Sequence, residues 1–178
     1  MMGLKKQGLY LPEFEHDNCG AGFICSLKGI KSNDIIHKAL EILDKLEHRG
    51  AVSADGKTGD GAGILIDIPH AFFKDTCSFD LPEAGEYAVG NVFLPQKENQ
   101  RDFCIKVFEE NIAKQGLELL GWRNVPVNRS VPGKIAAETE PYVMQVFVGK
   151  TEDLDEFQFN LKLFIARKIT EHTVIESK

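Results

Sequence analysis

Glu15-His16-Asp17-Asn18-Cys19-Gly20-Ala21-Gly22-Phe23 is where this 178-residue chain changes character, from a polar leader to a run of small and then apolar residues. A cysteine at such a junction has two readings. Left inside the chain, it is a small hydrophobe in a core. Exposed as residue one, it carries its own base, because a free α-amino group has a pKa of roughly 7.7 to 8 and takes the thiol proton at neutral pH. An internal nucleophile would need a histidine instead, and His16, His37, His48, His70 and His172 lie in no arrangement that marks one as that partner.

Working outward, residues 1–18 mix Gly3, Gly8 and Pro12 with charges and read as a detachable leader. Gly20 to Leu27 reads as a buried strand. Ser32-Asn33-Asp34 opens a helix, since Ser and Asn side chains accept from the free amides of a first turn, and Ile36, Ala39, Leu40, Leu43 and Leu46 form its apolar stripe. That helix is expected to stop at Gly50, with Gly50 as a left-handed cap and Arg49 offsetting the negative end of the helix dipole. Residues 51–63 form a loop rich in glycine, and Ile64 to Ile68 is the next strand, ended by Pro69. Further strands are predicted over Tyr87–Leu94, Leu117–Val127 and Tyr142–Val148, with helices over 98–115 and Asp155–Glu171. Trp122, Phe147, Phe157 and Phe164 are assigned to the core. This order predicts an α/β fold of layered α+β type with a largely antiparallel or mixed sheet. The chain stops directly behind a helix without an obvious closing strand, which predicts a domain incomplete at its C-terminal end.

Composition narrows the function. The 21 basic and 27 acidic residues give a net charge of -6, and the basic ones are dispersed, which argues against a nucleic-acid partner. No apolar stretch approaches the roughly 20 residues that cross a bilayer. The first 18 residues lack the apolar core of a secretory signal. Cys19, Cys25, Cys77 and Cys104 show no CxxC pair and no disulfide framework, so no metal site is assigned and a reducing, cytoplasmic compartment is expected. Gly59-Asp60-Gly61-Ala62-Gly63 is not a dinucleotide fingerprint, because it leads into a strand rather than opening a helix.

Three segments together resemble the start of the glutamate synthase large-subunit family, whose first domain is a class II glutamine amidotransferase of the N-terminal-nucleophile hydrolase type. They are Gln7 to Gly20, then Leu46-Glu47-His48-Arg49-Gly50-Ala51 followed by Thr58-Gly59-Asp60-Gly61-Ala62-Gly63-Ile64, and Gly121-Trp122-Arg123-Asn124-Val125-Pro126-Val127-Asn128. The resemblance implies an αββα sandwich, residues 1–18 as a propeptide and residues 19–178 as part of the amidotransferase domain. It implies Cys19 as the catalytic residue, attacking the carboxamide of glutamine to release ammonia and leave a thioester that water hydrolyses to glutamate. Arg49 and Gly50 fall on the family's His-Arg-Gly element and would shape the substrate site, with His48 structural. The implied partners are glutamine, a downstream synthase domain of the same chain, and a small subunit or electron donor. FMN and an iron-sulfur cluster are implied for the full-length parent, with no cofactor-binding residue in this segment.

One departure is informative. The family takes oxyanion donors from an Asn-Gly pair in a His-Asn-Gly-Glu stretch, and no asparagine here is followed by glycine. The isolated 178 residues are therefore expected to be nearly inactive. Two alternatives stand beside this reading. One is another N-terminal-nucleophile amidotransferase, such as a phosphoribosylpyrophosphate amidotransferase or asparagine synthetase relative. The other is a non-catalytic module that binds a partner and never exposes Cys19.

Overall fold

The computed structural model describes residues 8, 20–47, 50, 52–59, 61–151 and 154–177. They fall into two compact units, Met1–Ile66 and Asp67–Lys178.

In the first unit, helix α1 spans Asn33–Leu46. It begins where the sequence predicts, but the Ser32 side chain makes no capping bond. The Asn33 amide is engaged instead with the His37 ring, 3.0 Å away one turn on. Ile35, Ala39, Ile42 and Leu46, spaced four, three and four, lie on the half-buried side. Lys38–Asp34 and Lys45–Glu41 pairs lie on the exposed side. The expected strand over Gly20–Leu27 does not form: residues 20–26 are extended or irregular, a turn begins at Leu27, and Phe23 and Leu27 are exposed. Residues 61–69 are likewise irregular, with Leu65 fully exposed, so the expected Ile64–Ile68 strand is not formed either. Apolar content alone does not make a strand. A ladder partner must be in reach, and among the described residues neither segment has one.

The second unit contains α2 (His70–Thr76), β1 (Tyr87–Leu94), α3 (Glu98–Lys114), β2 (Glu118–Asn124), α4 (Lys134–Glu138), β3 (Tyr142–Gly149) and α5 (Glu156–Glu176). The strands form an antiparallel sheet in the order β1-β3-β2, so β3 lies in the middle. Its alternate residues serve two cores. Val146 and Val148 face Ile112 of α3, Leu117 just beyond that helix, and Phe159 and Ala166 of α5. Phe147 faces the other way, fully buried against Phe73, Phe79 and Tyr87, whose ring centroids lie 5.0, 5.2 and 6.2 Å from its own.

A bulge in β2 between Leu119 and Gly121 gives that strand one residue more than β3. Leu119 and Trp122 consequently pack on the helix side while Leu120 packs with Phe147. Gly121 is required there. A Cβ at this position would lie 2.5 Å from the Phe79 ring, which rests on the bare backbone. The helix layer is tied together by polar contacts as well. Asn111 and Thr170, both buried, share a 3.1 Å hydrogen bond between α3 and α5, and the Thr170 hydroxyl donates to the Ala166 carbonyl. The Trp122 indole donates to Glu109 at 2.9 Å. Asp155 and Gln158 form a reciprocal cap at the start of α5.

Two aromatic assignments change. Phe157 is 75% exposed and Phe164 is 52% exposed. On α5 the residues facing the core are Phe159, Leu163, Ala166 and Thr170, and Phe157, Leu161 and Phe164 form a second apolar stripe pointing away. Phe147 is core as expected and Trp122 is partly buried. No helix among the described residues is long and apolar enough to cross a membrane.

Replacing Gly121 with Ala should lower the unfolding free energy by about 1 to 3 kcal/mol, read from the urea midpoint, with part recovered when Phe79→Leu is added. Phe157→Ala should change it by no more than about 0.5 kcal/mol.

Candidate active site

Of the three residues marked by the sequence, only Gly50 lies among the described residues. Cys19 and Arg49 lie outside the described residues, as does His48. Gly50 is described and exposed, and it corrects one expectation. It is not in the left-handed region. Helix α1 ends at Leu46, and the Gly50 amide donates to the Glu47 carbonyl at 3.0 Å, closing a turn beyond the helix. A chain that leaves through such a turn has no need of a left-handed cap residue.

The segment that follows Cys19 is anchored by its backbone. At Gly22 the chain runs so near α1 that a Cβ would stand 2.6 Å from Ile42 Cγ2. Sequence reading treats Gly22 only as a small residue at the start of a strand and misses this contact. The signal was the Gly-Ala-Gly run, whose meaning depends on what lies opposite.

The glycine-rich loop contains a closed turn. Val52 and Gly59 form an antiparallel bridge, and the Ser53 amide donates to the Thr58 carbonyl at 2.7 Å. Asp55 holds the interior: one carboxylate oxygen accepts from the amides of Lys57 and Thr58 at 3.0 and 2.8 Å, and the other accepts from the Thr58 hydroxyl at 2.6 Å. A phosphate-cradling loop presents free amides to its ligand. Here those two amides are spent on a carboxylate, whose charge would repel phosphate.

A second group of polar side chains lies in the Asp67–Lys178 unit. The His70 ring and the Tyr87 hydroxyl share a 3.1 Å hydrogen bond. Burial pushes the Cys77 thiol above its ordinary value of 9.0, and the Arg123 charge only partly opposes this. Burial, and then the negative form of Cys77, push Tyr87 above 10.0. Cys77 is thus held as a thiol at neutral pH, the opposite of what a nucleophile needs. Cys25 is exposed and Cys104 partly buried, and neither is in a disulfide. Among the described residues no three His, Cys, Asp or Glu side chains gather as metal ligands. The described cysteines therefore do not fit an iron-sulfur cluster.

Comparison with known proteins identifies the class. Residues 19–178 match the family described as glutamine amidotransferases class-II, and the chain belongs to it. Within that class, the chain is similar to the start of several glutamate synthases. It is 46% identical over 170 residues to the glutamate synthase [NADPH] large chain of Bacillus subtilis, covering 94% of this chain and 11% of that one. It is 43% identical over 176 residues to glutamate synthase [NADH] of Saccharomyces cerevisiae, covering 92% and 8%. It is 39% identical over 166 residues to ferredoxin-dependent glutamate synthase 1 of Arabidopsis thaliana, covering 90% and 10%. The chain thus spans about a tenth of the length of these relatives.

The two raised groups give a pH dependence. The unfolded chain releases the Cys77 and Tyr87 protons near 9.0 and 10.0, and the folded chain keeps them to higher pH. Their contribution to stability is therefore complete at neutral pH and is lost as pH climbs through the raised values. The denaturant midpoint should fall above about pH 9, and Cys77→Ala with Tyr87→Phe should flatten that fall.

Proposed function

We propose that this chain is the glutamine-hydrolysing part of a glutamate synthase, with Cys19 as the nucleophile after removal of residues 1–18, and with residues 19–178 belonging to an αββα domain of the N-terminal-nucleophile type. The observation that carries the reading is the family match over residues 19–178, which starts at the cysteine that follows the polar leader. The mixed helix and strand composition, with two helices against one face of an antiparallel sheet, is compatible with one half of such a sandwich.

The chemistry follows from the residue types. The new α-amino group takes the thiol proton, directly or through a water, and the sulfur attacks the carboxamide carbon of glutamine. The C–N bond then breaks and ammonia leaves with the transferred proton. The resulting thioester is attacked by water, whose oxygen enters the new carboxylate of glutamate, and the thiol is restored. Arg49 and Gly50 shape the site in which this occurs. Oxyanion donors must come from elsewhere than an Asn-Gly pair within these residues, since there is none. Losing one such donor costs about 10²- to 10³-fold in rate.

In the whole synthase, ammonia would pass to a downstream domain that forms glutamate from 2-oxoglutarate, in the cytoplasm, using electrons delivered through FMN and an iron-sulfur cluster held outside the described residues. The donor is open: the relatives' names specify NADPH, NADH and ferredoxin.

Cys19→Ser in the full synthase chain should reduce ammonia release from glutamine by more than about 10³-fold. Intact mass of the purified parent should show loss of the 18-residue leader. Ammonia release from glutamine at the parental rate by the Cys19→Ser chain would sink the assignment.

A further inference from the structure

We propose that Gly22 and Ile42 form a positioning pair that sets where Cys19 stands for attack on glutamine. The proposal rests on the reading of Cys19 given above.

The contact is specific. Of the Ile42 atoms near a Cβ built on Gly22, only Cγ2 is too close, at 2.6 Å, while Cδ1 and Cβ stand at ordinary distances of 3.8 and 3.9 Å. That methyl is on the β-carbon of a residue within α1, where a branched side chain is held in essentially one χ1 rotamer. Rotating it away would drive the side chain into the preceding turn. Ile42 is also half-buried on the same side of α1 as Ala39 and Leu46. The helix is therefore the firm partner. The segment 20–26 is in no helix or sheet, so the backbone at Gly22 is what yields when a side chain is added.

Such a movement reaches the nucleophile by covalent geometry. Three peptide units separate Gly22 from Cys19, so their α-carbons lie within about 11 Å. Nucleophilic attack requires reacting atoms about 3 to 3.5 Å apart, and a displacement of about 1 Å costs on the order of 10²-fold. Gly22 is otherwise exposed and adds little to the core, so its effect falls on the chemical step more than on folding.

The test uses the full synthase chain, with ammonia release from glutamine as readout. Gly22→Ala should lower kcat by about 10²-fold with a smaller change in KM, while the unfolding midpoint stays close to that of the parent. Ile42→Leu moves the branch from Cβ to Cγ at equal volume, so the Gly22→Ala/Ile42→Leu chain should recover to within about fivefold of the parent. Full kcat in Gly22→Ala, a loss that Ile42→Leu does not restore, or a rise in KM with kcat intact would each overturn the proposal. A Gly22→Ala chain that does not fold would also overturn it, because the segment, not the fold, is expected to yield. Cys19→Ser separates the two levels. An active Cys19→Ser chain removes the underlying assignment, whereas an inactive one beside a fully active Gly22→Ala chain removes only the positioning role.

Discussion

Burial of β3 on both faces is the constraint from which the Asp67–Lys178 unit follows. A strand's side chains alternate, so a central strand with apolar residues at successive positions needs a layer on each side. Val146 and Val148 take the layer made by α3 and α5, and Phe147 takes the aromatic layer of Phe73, Phe79 and Tyr87. The bulge at Leu119/Gly121 keeps β2 in step with both layers. Fully burying a side chain such as Phe147 is worth roughly 1.5 to 3 kcal/mol, and edge-to-face rings add about 0.5 to 1.5 kcal/mol each.

A different constraint governs the residues that follow Cys19. Little apolar burial holds segment 20–26, where Phe23 and Leu27 are exposed, and its placement depends on how near backbone can pass to a helix. Gly22 against Ile42 and Gly121 against Phe79 are the same device used for two ends. At Gly121 it lets an aromatic ring settle on the sheet. At Gly22 it draws the chain leading from Cys19 against α1. The loop at residues 52–59 is organised differently again, by the Asp55 carboxylate turning inward on its own amides.

Legibility varied with length and with locality. Strands β1 and β3 and helices α1, α3 and α5 were readable because each carries enough residues for its period to repeat, and Pro95 and Gly116 lie just past two of the ends. Helices α2 and α4, of seven and five residues, are too short to show a helical period and were missed. The apolar segments 20–27 and 64–68 look like strands by composition, yet strand formation is a property of a pair. Phe157 and Phe164 were misassigned for a related reason. Helix α5 is apolar on more than one side, and sequence does not say which side meets the sheet. Cys19, Arg49 and Gly50 were put forward from motifs alone, whereas the crowding at Gly22 was not legible, because it depends on an atom of Ile42, 20 residues away.

By itself the sequence determined what is local: the junction at Cys19, the longer periodic elements and the motifs that identify a class II glutamine amidotransferase, all properties of neighbouring residues. Only the tertiary structure decided which face of each element is buried, at which glycines a neighbouring side chain presses on the bare backbone and which thiol burial pushes above its ordinary value. Those depend on atoms brought together from distant positions, where a single methyl group or aromatic ring sets the clearance.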